Sequence, residues 1–177
     1  MALLDDCKYG HSCAGNVMGL TLLRSPKHPD PEADMGVHEF TYSLMPHGGD
    51  WREAGVDREA ERLNNPLIAR TLPAQQQGQW QGSFAPFSIE TPGSAGLEVA
   101  AVKPAEDGEG LIVRLVETHG GRGEVQLRWN LPASDVKAAN LLEQRTHVPS
   151  LQHDAKERLT RFYIKPFEIV TLALAFA

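Results

Sequence analysis

One short alternation constrains the fold more than anything else in the chain. Val125, Leu127, Trp129 and Leu131 alternate with Glu124, Gln126, Arg128 and Asn130. A period of two gives an extended strand one apolar and one polar face, the mark of an antiparallel strand half-buried in a sheet. Val170, Leu172, Leu174 and Phe176 repeat the pattern near the end. Further short strands are expected over 84–90, 96–103, 110–118, 123–131, 158–165 and 167–176, divided by turn residues. Residues 106–110 (EDGEG) and 119–123 (HGGRG) are strong hairpin punctuation. Residues 135–143 fit a short helix or an edge strand equally well.

Before these strands the pattern is mixed. Residues 16–24 (NVMGLTLLR) are almost continuously apolar, which predicts a strand buried on both faces. Residues 25–35 cannot be regular, because Pro26, Pro29 and Pro31 remove donors and Asp30, Glu32 and Asp34 add charge. Residues 36–46 resume as a strand with His38, Phe40, Tyr42 and Leu44 on one face. Asp50 with Glu53 forms a capping-box-like start to a helix over 51–64, whose apolar face is Val56, Ala60 and Leu63. Gly55 weakens its first turns, and Asn65-Pro66 ends it. Gln75, Gln76, Gln77 and Gln79 around Gly78 read as a surface loop. The fold class is therefore all-β: an antiparallel β-sandwich with one short helix near 51–64, in a single domain over 1–177.

Charge and length exclude several functions. A net charge of -6 with scattered Lys and Arg offers no basic face for nucleic acid. No apolar run approaches the roughly 20 residues of a membrane span. Residues 1–10 lack the basic start and long apolar region of a signal peptide, and two cysteines make no disulfide framework. A cytoplasmic location is expected. The chain is already apolar at Ala2-Leu3-Leu4, so it reads as a piece of something longer.

The candidate chemistry is sparse. Cys7, His11 and Cys13 lie close together, but not at structural-zinc spacing, and reduced thiols are the expected state. Asp5 and Asp6 point to opposite faces of a strand and suit turn and capping work. Asp30, Glu32 and Asp34 form a solvated acidic loop, and His38 reads as a hydrogen-bonded core histidine. No nucleophile elbow, phosphate loop or metalloprotease motif is present in the sequence. On the residues alone this is a β-sandwich without a catalytic constellation.

Longer stretches add a resemblance. LLDDCKYGH at 3–11, LTLLRSPKHPDPEADMGVHEFTYSLMPHGGDW at 20–51 and LNNPL at 63–67 resemble the C-terminal β region of class II α-mannosidases, glycoside hydrolase family 38. EDGEGLIVRLVETHGGRGEVQLRW at 106–129 and KPFEIVTLAL at 165–174 continue the likeness in the same order. It is strongest to the cytosolic-type branch. The resemblance implies a C-terminal portion of an enzyme that hydrolyses terminal α-mannosides with retention. That chemistry uses an Asp nucleophile, a carboxylic acid/base and zinc or another divalent metal.

In the family those groups belong to an upstream α/β barrel and helical region, and nothing here resembles them. No catalytic residue, cofactor or metal ligand is therefore expected in this chain. The implied partners are the upstream catalytic domain and a mannose-containing glycan, and exposed sandwich edges would favour a homo-oligomer. The implied contribution is a scaffold whose 29–38 loop approaches the active-site rim, with Asp34, Gly36 and His38 as rim residues. The alternative is an independent carbohydrate-binding module using exposed aromatics, with Trp51, Trp80 and Trp129 as the candidates.

Overall fold

Residues 1–73, 82–91 and 95–176 are described by the computed structural model. The glutamine-rich stretch and Trp80 lie outside them. The chain forms two compact units, Met1–Gln76 and Gln77–Ala177.

The first unit holds two small antiparallel pairs and a helix. Strand β1 (Ala2–Asp5) pairs with β4 (Tyr42–Met45), with Leu3 opposite Leu44 and Leu4 opposite Ser43. Strands β2 (Gly10–Ala14) and β3 (Val17–Thr21) form a hairpin closed by Gly15-Asn16. Gly15 takes φ 59°, as the two-residue turns that follow strand twist require. Two expectations are corrected here. The 16–24 run pairs only over Val17–Thr21, and its Val17 and Met18 side chains are exposed. The opposing strand sets Ala14 opposite Val17 and Cys13 opposite Met18, small side chains that leave both exposed. The second expected strand begins at Tyr42 rather than 36, which leaves His38 off any strand face.

The capping box is present but closes a single turn. The Asp50 carboxylate accepts from the Arg52 and Glu53 N–H groups at 2.8 and 3.0 Å, and Glu53 Oε2 accepts from Asp50 N–H at 3.4 Å. Gly55 at φ 63° then breaks the spiral, and helix α1 runs Val56–Asn64. Its Val56, Ala60 and Leu63 are half-buried, as their spacing predicts. At its end Asn64 Nδ2 donates to the Asp5 carbonyl at 3.2 Å, tying the helix to β1.

The second unit is the sandwich. One sheet orders β10 (Gln152–Asp154), β11 (Leu159–Ile164), β8 (Gly123–Trp129) and β5 (Phe87–Glu90). The other orders β6 (Leu97–Pro104), β7 (Leu111–Glu117), β12 (Ile169–Phe176) and β9 (Ala133–Ala139). Of residues 135–143, those up to Ala139 belong to the edge strand β9, and 140–143 lie in the turn beyond it. Val125, Leu127, Trp129, Phe162 and Ile164 of the first sheet pack with Val113, Leu115, Val136, Val170, Leu172 and Leu174 of the second. Residues 119–123 are no hairpin: β7 and β8 lie in different sheets, so this turn carries the chain across the core.

Strand β12 is buried on both faces. Its outer face is covered by the loop after β9, where Arg145 donates to the Ala173 carbonyl at 3.4 Å. From β7, Arg114 Nε donates to Thr171 Oγ1 at 3.2 Å. The turn before β7 meets β12 even more closely. Gly110 has φ 97°, and a Cβ there would lie 1.9 Å from the Leu174 carbonyl oxygen. Gly110→Ala should therefore cost about 2–3 kcal/mol, read as a drop of about 10 °C in melting temperature. A melt unchanged within about 2 °C would contradict this packing.

Candidate functional site

The 29–38 loop is built on its own backbone. Asp30 Oδ1 accepts from Glu32 N–H at 2.9 Å, and the Asp30 and Glu32 carbonyls accept from Ala33 and Met35 at 3.3 and 3.2 Å. Asp34 then enters the left-handed region at φ 58°, which its short polar side chain tolerates, and Gly36 follows at φ 135°. These two reversals bring His38 back onto the loop, where its Nε2–H donates to the Asp34 carbonyl at 2.8 Å. Asp34, Gly36 and His38 are therefore joined in one small arch. All three are exposed, so the core setting expected for His38 is corrected. Between them Met35 and Val37 stand in solvent, Val37 at 93% exposure.

The adjacent carboxylates divide as their alternation predicts. Asp5 accepts from the Lys8 N–H and pairs with His11 Nε2 at 2.8 Å. Asp6 accepts from Thr41 N–H at 2.9 Å, and its own N–H donates to the Thr41 carbonyl, which aligns β4 beside β1. The Cys7 thiol also donates to Asp6, and that contact pushes the thiol above its ordinary value. Cys7 is thus a poor nucleophile at neutral pH. Cys7 and Cys13 are free, and no group of three or more His, Cys, Asp or Glu could hold a metal among the described residues. No helix among them is long and apolar enough to cross a membrane.

The comparisons with known proteins bear on both units. Residues 1–32 match the model of the glycosyl hydrolases family 38 C-terminal domain. Residues 96–172 match that of the glycosyl hydrolases family 38 C-terminal beta sandwich domain. The chain belongs to the C-terminal β region of glycosyl hydrolase family 38. It is 39% identical over 175 residues to Alpha-mannosidase 2C1 of Mus musculus and 36% identical over 174 to its Homo sapiens counterpart. It is also 34% identical over 175 residues to Alpha-mannosidase G of Dictyostelium discoideum. These alignments cover 97–98% of this chain but only 16% of each relative's length.

Within the matched sandwich of this family 38 region lies a feature that the sequence reading passed over. Glu117 ends β7 on its core-facing side and is 1% exposed. Its Oε1 accepts from Gly96, His119 and Gly121 N–H groups at 3.2, 3.0 and 2.9 Å. Its Oε2 accepts from Gly120 and Phe167, both at 2.9 Å. Burial alone would raise this carboxyl, but the converging N–H groups of Phe167, Gly121, Gly96 and His119 outweigh it and hold the group below the ordinary glutamate value. Five donors saturate its lone pairs, so Glu117 has no capacity left for proton transfer or a metal. Its work is to fasten three loops. A signal existed: an acid on the apolar face of a strand, followed by Gly120-Gly121, whose N–H groups can converge without side chains in the way.

Proposed function

We propose that this family 38 region is the C-terminal β portion of a retaining, metal-dependent α-mannosidase acting on terminal α-mannosides. On this reading it scaffolds the catalytic portion, brings the 29–38 arch to the active-site rim, and does not hydrolyse glycans by itself. The observation that carries the reading is the alignment of nearly the whole chain with 16% of the length of proteins named α-mannosidases. The donor set here does not fit a divalent ion. On this reading the metal is held by the catalytic portion; among the described residues Asp5, Asp6 and Asp30 accept from backbone N–H groups and Glu117 is saturated. We place the enzyme in the cytoplasm, with the branch its sequence resembles. Its partners are the upstream catalytic portion and, at the rim, a mannose-containing glycan.

The test is α-mannosidase activity on a chromogenic mannoside with divalent metal, for this chain alone and with the upstream portion added. Activity only in the combination supports the reading, and activity from the chain alone overturns it. In the combined enzyme, Asp34→Ala and His38→Ala should each lower kcat/KM by about 2–10-fold, the value of one lost polar contact of about 0.5–1.5 kcal/mol. A loss below about twofold in both would remove the rim role. The module reading keeps one of its candidates that can be placed, Trp51, which is 41% exposed. Trp129 is in the core, and Trp51 is capped by the Arg52 guanidinium 4.8 Å from its ring centroid.

A further inference from the structure

Among the described residues of the first unit, Leu4 is the only large hydrophobic side chain that is buried. Leu3, Met18, Leu20, Leu22, Tyr42 and Leu44, from β1, β3, β4 and the chain just past β3, line one concavity of about 320 Å³. Tyr42 and Leu44 at its floor are 54% and 59% exposed. Two-stranded pairs are marginal in water unless another layer covers an apolar face, and a contiguous apolar patch on a folded protein marks an interaction surface.

Resting on the reading above, we infer that this concavity is the seat of the upstream catalytic portion, which covers it with an aliphatic or aromatic surface of its own. The occupant is named by length and by chemistry. More than four-fifths of each aligned relative lies outside the matched region, which spans 16% of it. The side chains that line it are apolar apart from the Tyr42 hydroxyl, which suits the buried centre of a permanent contact.

The test pairs this chain with the upstream portion and reads binding, by titration or co-elution, together with mannosidase activity. Tyr42→Asp and Leu44→Asp should weaken binding by at least tenfold and lower the activity recovered at limiting concentration in parallel. Leu142→Asp, at an exposed leucine of the second unit, should bind as wild type does. The melting temperature of the chain alone should stay within about 2 °C in all three variants. Wild-type chain that fails to bind the upstream portion overturns the proposed function. Wild-type binding that Leu44→Asp and Tyr42→Asp leave intact overturns the seat while that function stands. A variant that instead dissociates a homodimer and keeps its affinity for the upstream portion overturns it in favour of a second copy. A fall in the melting temperature of the lone chain would mean that the chain covers this face itself, and would overturn it too.

Discussion

A Glu117→Ala variant should melt about 15 °C or more below wild type, a loss of about 4 kcal/mol from the second unit. The size follows from what the carboxylate holds. Removing it leaves five backbone N–H groups without their acceptor, that of Gly121 buried and the others part-buried, and each stranded donor costs about 1–3 kcal/mol. Against a domain stability of about 5–15 kcal/mol, such a loss takes a large share. Glu117→Gln should recover little, because its amide turns an NH2 group toward donors. A Glu117→Ala melt within about 3 °C of wild type would show that the five contacts contribute little net stability.

The same group gives a signed pH dependence. The folded carboxyl titrates below the ordinary value of 4.5 that the unfolded chain has. Its stabilisation is therefore complete above about pH 5 and is lost as pH falls through the folded pKa. Asp135 and Asp154, also lowered by their contacts with Lys137 and with the Glu157 and Lys156 N–H groups, add to the acid limb. The diagnostic quantity is the wild-type stability minus that of Glu117→Gln, measured by denaturant unfolding. That difference should be flat from pH 7 to about 5 and shrink below it. A difference that grows on acidification would reverse the assignment.

Trp129→Ala should cost about 3–5 kcal/mol, the range for an emptied aromatic site in a packed core. Trp129 is 1% exposed and meets the Phe87 ring edge-on at 5.2 Å. Its Nε1–H donates to Thr160 Oγ1 at 2.8 Å, and the same hydroxyl donates to His153 Nδ1 at 2.9 Å. His153 Nε2–H reaches the Ala133 carbonyl at 3.3 Å. The indole therefore starts a relay of polar contacts leading from β8 through β11 and β10 to β9. Trp129→Phe separates the two roles. It keeps most of the apolar volume and removes one donor, so it should cost about 1–2 kcal/mol. Equal costs for Phe and Ala would mean that the hydrogen bond, and not the filled volume, dominates at this site.

The sandwich was legible because its strands carry their own burial code. In β8 the expected inward residues Val125, Leu127 and Trp129 are the buried ones, since strands on both flanks and a facing sheet fix one side as interior. The alternation of β12 identified its inward face, but not that its outer face would be covered. There Ala173 packs with Ile112, Ala139 and Ala105, and Arg114 bonds the Thr171 hydroxyl, contacts from residues distant in sequence. The first unit was less legible. A continuous apolar run such as 16–24 states that a strand prefers cover, and cannot state that Val17, Met18 and Leu20 will face Ala14, Cys13 and His11. The 29–38 arch was readable as irregular up to residue 35 from its prolines, whereas 36–38 read as strand. Its closure was not, because the contact from His38 is to a backbone carbonyl and leaves no trace in residue identity.

The sandwich's four open margins bear on how the chain behaves before it meets any partner. Strands β10 and β5 are only three and four residues long. Strand β6 is interrupted by a bulge between Val99 and Ala101 and ends in Pro104, and β9 carries the Asp135–Lys137 pair on one face. Each device denies a stray strand the long, flat, uncharged ladder on which chains stack edge to edge. The second unit is thus guarded against fibrillar association from the moment it folds. The exposed leucines of the first unit carry no such guard. During synthesis the vulnerable interval for a chain like this is set by how soon those leucines are covered, and not by the β-rich half that a propensity scan would flag.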